Sequence, residues 1–404
     1  MRSVIAERKL FSDLDHKQVL RTLWNAAISC NAGVALWRCP RSASMRFLAD
    51  FSPAIQKERL DLQTVTPGFA VSPFLNPEGN ESLLLKAQLY YMRGRETEQL
   101  VETEQVPASF WEKLSDKNQG SCQYHLNIRP DTEVSGQKDH FIQVVSDGIA
   151  AIKRGQFEKV VAARTLDYPL WDQFDVIDQF FRLEETYRDA FVNLVSIPGR
   201  GTWMGASPEL MVEVNRDQQF RTVSMAGTQP YPVDASLAQA AWNQKEIEEQ
   251  ALVSRYIIEQ FKTIRLREFE ETGPRTVRAG DMIHLKTEFF VDMKATQFPE
   301  LGTVMLHLLH PTSAVCGMPK FPALQFIISN ENLNREFYSG FIGPVNIDHE
   351  TRLYVNLRCM QILRTRVVLY AGAGITHESI SEKEWEETAL KCRTLLKVMN
   401  GNES

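Results

Sequence analysis

The stretch "ISEKEWEETALKCRTLLK", residues 380–397, alternates charged and apolar side chains with a helical period. At about 100° per residue, Trp385, Thr388, Ala389, Cys392, Leu395, Leu396 and Met399 form one broad face. Lys383, Glu386, Arg393 and Lys397 form the opposite, wet face; Leu390 falls among them, which predicts that part of this side is covered. Ser381 with Glu384 three residues later predicts a capping box at the helix start. Glu384, Glu387 and Lys391 avoid the wet group and run beside Thr388, Leu395 and Val398. Two carboxylates and a lysine are therefore expected to turn towards the interior.

A second segment, "WNQKEIEEQALVSRYIIEQFK", shows the same oddity within a helix expected at roughly 236–264. Glu249 shares the core side with Trp242, Val253, Tyr256, Ile257 and Gln260, with Glu246 close by. Glu248, Arg255, Glu259 and Lys262 occupy the solvent side. Such carboxylates can be a surface ladder or the partners of buried bases. An inward carboxylate needs a neutralising cation. Two helices presenting inward glutamates can equally supply oxygen ligands to one hard cation such as magnesium.

Elsewhere the pattern is mostly strand-like. Residues 1–30 read as a helical lead-in, followed by "GVALWRCP", "MRFLADFS" and a turn-rich stretch. A polar run at 101–138 predicts a long connection, and "DHFIQVVSDGIAAIKRGQF" a helix closed by Gly155. Beyond it, "KVVAARTLDYPL", "AFVNLVSI", "GTWMGASPELMVEV", "FRTVSMAGT", "RLYVNLRCMQIL" and "RVVLYAGAGI" read as strands. Without a regular βαβ beat, they predict an α+β fold: a single large domain of antiparallel sheets with flanking helices. Residues 1–138 are expected to form its N-terminal portion and 139–404 its core.

The 404 residues, 43% hydrophobic and 24% charged, suit an ordinary globular chain. A net charge of −6 argues against nucleic acid or an acidic membrane as the main partner. No apolar run approaches a membrane span, and the first twenty residues hold no core of signal-peptide length. Six cysteines without zinc spacing fit thiols in a reduced, cytoplasmic setting. Neither a P-loop nor a GxGxxG leading into a helix occurs.

Nine short motifs follow in order: "FEKVVAAR", "GASPELM", "MAGTQP", "KEIEEQ", "LHPTSAVCGMP", "REFYSGFIGPV", "LYVNLRC", "AGAGI" and "EWEETALK". Together, from about 139 to 397, they resemble the chorismate-utilising enzymes, and most closely the isochorismate synthases. The resemblance implies the anthranilate synthase component I-like fold and a magnesium-dependent isomerase. Water adds at C2 of chorismate while the C4 hydroxyl departs, which needs a base, an acid and cations for two carboxylates.

By that resemblance Lys159 is the water-activating base, where aminating relatives carry glutamine; on residues alone it reads as a surface lysine opening a strand. Glu209 matches the general acid, or otherwise a glutamate at a turn between strands. Ala226 stands where covalent-lysine relatives carry their nucleophile, and Gly227 and Thr228 are expected to contact substrate. Glu249 and Glu387 are implied as Mg²⁺ ligands, with Glu246 and Glu384 close by or acting through water. Lys391 contacts the substrate's carboxylate side in this reading, or merely pairs with Glu387. Arg358, inside the strand-like "LYVNLRC", is implied to grip the enolpyruvyl carboxylate, with Tyr338 completing that pocket. Gly372 and Gly374 allow close approach of an anion or mark a tight turn. His284 matches a histidine near the ring, though a lone histidine is often structural.

Ala314, where salicylate synthases are expected to carry threonine, favours isochorismate as product. Salicylate synthesis and a silent chorismate-binding homologue are the alternatives. Gln250 departs from the family's histidine and predicts altered hydrogen bonding beside the metal ligand. The expected partner is the small molecule chorismate, the choice between menaquinone and siderophore pathways stays open, and nothing requires more than a monomer.

Overall fold

The computed structural model describes residues 2–3, 11, 14–75, 81–94, 97–103, 105–115, 120–127, 137–231, 236–279 and 282–400. Parts of the expected lead-in helix and of the polar 101–138 connection lie outside these residues.

Two antiparallel sheets build the molecule. The first has eleven strands among the described residues, in the order Arg2–Ser3, Glu98–Glu102, Leu89–Arg93, Met45–Asp50, Gly33–Arg38, Phe191–Ile197, Gly201–Ser207, Cys359–Ile362, Arg366–Ile375, Lys159–Pro169, Gly317–Met318. The second has nine: Glu270–Ala279, Met282–Asp292, Gln219–Pro230, Leu210–Val214, Thr351–Val355, Phe341–Val345, Gly68–Val71, Glu81–Lys86, Gln56–Arg59. Strands from before residue 139 pair into both sheets, Gly33–Arg38 with Phe191–Ile197 and Gly68–Val71 with Phe341–Val345. The expected α+β architecture of antiparallel sheets is therefore the observed one.

The sheets pack face to face, and helices cover their outer faces. Strand alternation sorts the side chains between the layers. In Gly33–Arg38, Val34 and Leu36 point into the helix-covered core, while Ala35 and Trp37 point into the core between the sheets. The large sheet is covered by helices His16–Ser29, Val176–Thr186 and Ser381–Asn400, and the smaller by Gln244–Thr263 and Leu301–Leu309. Burial on both faces explains why Phe191–Ile197 and Gly201–Ser207 are buried along their whole length. Aromatic rings fill the inter-sheet layer: Phe191 stacks on Tyr354 at 4.2 Å and Trp203 on Tyr370 at 5.2 Å.

Two of the expected strands break in the middle. "GTWMGASPELMVEV" leaves the large sheet after Ser207 and enters the smaller one at Leu210. "RLYVNLRCMQIL" makes the reverse passage between Val355 and Cys359. The two crossings are neighbours, because Gly205 pairs with Cys359 and Leu210 with Tyr354. Bonds from Ala206 N–H to the Arg358 carbonyl and from Val355 N–H to the Glu209 carbonyl, both 3.0 Å, stitch them together. Arg358 thus lies at the crossing, with φ 45°, rather than inside a strand as its apolar surroundings predicted.

The helices differ from expectation at their starts. The second inward-facing helix spans Gln244–Thr263, preceded by a short 3₁₀ turn, Leu237–Gln239. Trp242 lies outside it and donates to Thr276 instead. Ser381 is already helical, and its hydroxyl bonds to Ser146 at 3.0 Å rather than capping. Packing against Gln137–Lys153 claims the side chain that the capping box would have used. Gly155, with φ 74°, closes that helix as expected.

One buried ion pair ties the layers near the crossings. Arg335 bonds Glu331 through Nε (2.6 Å) and Nη2, and donates to the carbonyls of Val315 (2.8 Å) and Val161 (2.7 Å). Glu331 also accepts from the Ala163 N–H at 3.0 Å. Removing one partner would strand a buried charge. Arg335→Met is expected to cost about 3–5 kcal/mol of unfolding free energy in urea; a loss within experimental error would show that the pair contributes nothing.

Candidate functional site

The two crossings open a cavity between the sheets, walled on its other sides by Gln219–Pro230, Met282–Asp292, Arg366–Ile375 and the two inward-facing helices. Its volume is about 100 Å³. Of the residues expected to act on substrate, Glu209, Gly227, Thr228, His284, Ala314, Tyr338, Arg358, Gly372, Gly374 and Lys391 all line it, as does Glu249. Ala226 lines it too, so no lysine stands at that position. Lys159 lies just behind the wall, at 0% exposure, with Nζ 3.0 Å from Glu249 Oε1.

Glu209 reaches the cavity because Pro208 and the sheet crossing remove it from any ladder. It is buried, and Thr312 Oγ1 donates to its Oε1 at 3.5 Å. Burial pushes its pKa up to about 8, against the pull of Lys159 and of the Thr312 hydroxyl. The group is therefore protonated at neutral pH and available as a proton donor.

His284 sits opposite a bulge. The register between Gln219–Pro230 and Met282–Asp292 slips at Ala226/Thr228, where Gly227 adopts φ 67°. The slip turns the Gly227 carbonyl onto His284 Nδ1 at 3.1 Å, while Arg358 Nη2 approaches Nε2 at 3.0 Å. A guanidinium can only donate, so Nε2 accepts and the proton sits on Nδ1. Burial, then Arg358 and Lys391, bring the imidazole down to about 3, so it stays neutral. Its orientation in turn steadies Arg358 towards the cavity.

The glycines of "AGAGI" lie within strand Arg366–Ile375 and form no turn. Tyr370, Gly372 and Gly374 share one face by alternation. A Cβ at 374 would fall 2.5 Å from Glu249 Oε1 and 3.1 Å from Lys159 Cε; one at 372 would fall 2.9 Å from the Tyr338 hydroxyl. The missing side chains make room for the Lys159–Glu249 pair and for Tyr338. Gly372 also offers its carbonyl to Lys391 Nζ at 2.9 Å.

The inward carboxylates each meet a lysine. Besides Lys159–Glu249, Lys391 pairs with Glu387 at 2.8 Å and Lys245 with Glu384 at 2.8 Å. Burial raises the Glu249 carboxyl, but Lys159, Lys391 and Lys245 more than offset it and hold the group ionised. Glu384 is 1% exposed; burial and then Glu387 raise it, and its Oε2 is buried with no hydrogen-bond partner. Glu246 stands apart: one of its oxygens accepts from the Asn243 N–H at 3.0 Å, at the helix start. Helix Ser381–Asn400 is held by Arg164, whose guanidinium lies 3.6 Å over Trp385 and whose Nε donates to Thr388 at 2.7 Å. Leu390 is partly covered, and Lys383, Glu386, Arg393 and Lys397 are exposed, as the wheel predicted.

Gln250 is buried, with Nε2 bonded to Ser224 Oγ (2.6 Å) and Thr287 Oγ1 (3.1 Å). An amide thus anchors the residue after Glu249 to two strands of the smaller sheet. Two contributors escaped the sequence reading. Lys245 is inside the motif "KEIEEQ" yet off the helix's apolar face, and Tyr370, on the cavity wall, could have been found by its two-residue spacing from Gly372.

The Glu209 shift has a consequence for folding. Its folded pKa lies above that of an ordinary glutamate, so the group favours folding fully below about pH 4.3 and loses that contribution as pH rises through about 8. Glu209→Gln should therefore be more stable than the parent at pH 8.5 but not at pH 4.5, read by urea unfolding. An unchanged pH slope would contradict the buried, protonated carboxyl. Gly374→Ala should keep the fold but lower the melting temperature, because the added Cβ displaces Glu249 from Lys159 and strands a buried charge; thermal melts by circular dichroism that match the parent would contradict this close packing.

The family model for "Chorismate binding enzyme" matches residues 39–400. Isochorismate synthase EntC of Escherichia coli K12 is 29% identical over 263 residues, 64% of this chain and 66% of EntC. Isochorismate synthase DhbC of Bacillus subtilis is 28% identical over 70% of this chain and 72% of its own. The aligned part therefore spans slightly under two thirds of EntC's length. The solved structure of MenF, the menaquinone-specific isochorismate synthase of Escherichia coli, superposes with a TM-score of 0.73 over 96% of this chain and 92% of MenF, at 22% identity. That likeness shows the fold. Matched along almost its whole length, the chain belongs to the chorismate-binding enzymes.

Proposed function

We propose that the chain converts chorismate to isochorismate with Mg²⁺, by adding water at C2 and releasing the C4 hydroxyl. The observation that carries this reading is the pairing of opposite proton roles around one cavity. Glu209 is protonated near neutrality, and the buried Lys159 lies within Coulomb reach of it, held 3.0 Å from Glu249. The likeness to relatives named isochorismate synthases supports the same substrate.

Arg358 and Lys391 supply cationic anchors for the two carboxylates of chorismate, and His284 holds Arg358 without adding charge of its own. Lys159 takes the proton of the attacking water, and Glu209 gives its proton to the departing hydroxyl, which leaves as water. Solvent exchange then returns both groups to their starting states. Lys159 Nζ is held 3.0 Å from Glu249 Oε1, so turning it to the attacking water requires that Glu249 share its charge with another cation.

The residues fit such a cation. Glu249, Glu384 and Glu387 carry hard oxygen donors on two helices, and Oε2 of Glu384 is a buried oxygen with no hydrogen-bond partner. Glu249 and Glu387 would hold Mg²⁺, with Glu384 and Glu246 acting through water. Among the described residues no three such side chains already converge as ligands; lysines stand between them. A Mg²⁺ held there would supply positive charge to a substrate carboxylate and to Glu249. Ala314 in the cavity wall favours stopping at isochorismate, and the pathway the product enters, menaquinone or siderophore, is open.

Purified protein with chorismate and Mg²⁺ should yield isochorismate by chromatography. Salicylate with pyruvate would replace this product assignment, and no turnover would reject the enzyme reading. Lys159→Ala and Glu209→Gln should each lower kcat by at least about 100-fold with chorismate binding retained. Near-normal rates in either variant would refute its assigned proton role.

A further inference from the structure

Lys245 lies outside the cavity wall, one helical turn before Glu249. From helix Gln244–Thr263 it reaches across to Ser381–Asn400, where Nζ sits 2.8 Å from Glu384 Oε1. It is the one member of the lysine set whose bond joins the two carboxylate-bearing helices directly: Lys159 comes from a strand, and Lys391 pairs within its own helix. Its ammonium also lies within Coulomb reach of Glu387 and Glu249. The acceptor it uses is almost wholly buried, and that carboxylate's other oxygen has no partner.

From this placement we propose that Lys245 is a built-in counter-ion, which holds the two helices together before a divalent cation arrives and sets the cation's affinity by competing with it. The proposal rests on the magnesium reading above. An ammonium and a divalent cation cannot both sit against one carboxylate cluster without mutual repulsion, and in a poorly solvated site that repulsion is weakly screened. The lysine stem is long and flexible enough to swing aside once the cation takes over its cross-link. A residue that only positioned Glu384 would have the opposite effect, since its loss would let a ligand drift and weaken metal binding.

The test is calorimetric titration of Mg²⁺ into substrate-free protein, comparing the parent with Lys245→Met and Lys245→Arg. Lys245→Met is expected to bind Mg²⁺ about tenfold more tightly. It should also melt below the parent in EDTA and recover fully at saturating Mg²⁺. Lys245→Arg, with its charge kept, should bind like the parent. Unchanged or weaker Mg²⁺ binding by the methionine variant would overturn the counter-ion role while the magnesium reading stood. A parent that takes up no Mg²⁺ would overturn both. Were Lys245→Met unfolded in EDTA, regain of its helical signal on adding Mg²⁺ would support the role, and failure to regain it would refute it.

Discussion

Two neighbouring strands change sheets at the same level, and the site exists because of that constraint. At Pro208–Glu209 and at Asn356–Arg358 the chain leaves one hydrogen-bonded ladder before entering the other. Freed peptide groups must still find partners in a buried place. Here they find each other, and Asn356 is bonded in turn to the Phe337–Gly340 segment through its N–H (2.8 Å) and side chain (3.0 Å). The side chains at the crossings escape the sorting that alternation imposes on a ladder. Glu209 and Arg358 thus enter a cavity that neither sheet alone would contain, and Tyr338 reaches it from the segment bonded to the crossing.

The charges around this cavity depend on one another. A carboxyl deprived of water becomes protonated unless a cation is adjacent, and the site shows both outcomes within one wall. Glu209 feels the pull of Lys159 too weakly to offset its burial and keeps its proton; Glu249 has Lys159 at 3.0 Å and loses it. His284 lies against Arg358 and stays neutral, so it orients a cation without repelling it. Moving any one of these groups would change the charge its neighbours feel, and the missing side chains at Gly372 and Gly374 leave the space that Tyr338 and the Lys159–Glu249 pair fill. The buried Glu331–Arg335 pair fixes Val161 and Val315, which line the cavity.

Much of this was legible before any coordinates. Periodicity alone showed that Glu249, Glu384, Glu387 and Lys391 avoid the solvent faces of their helices, because a helix has only one repeat and its phase can be read along the chain. The prevalence of strands without a βαβ beat points to antiparallel sheets, whereas the glycines of "AGAGI", expected to admit an anion or mark a turn, lie in a strand and leave space for Glu249 and Tyr338. Less visible was Lys245. It faces no apolar stripe, and its importance comes from Glu384, far away in sequence and on another helix.

What the amino-acid order determines unaided is local: which residues are helical or extended, which face is apolar, and which residue types recur in a recognisable series. Capping at Ser381 failed as an expectation because a hydroxyl's partner is chosen by whatever packs beside it, here Ser146. Arg358 reads as a strand residue in the sequence because apolar alternation continues straight through the break, the chain being buried on both sides of it. The protonation of Glu209, the tautomer of His284 and the lysine partner of each glutamate were decided only by tertiary structure. Each depends on desolvation and on distances of a few ångströms between segments far apart in the chain, and neither quantity has a signature in linear order.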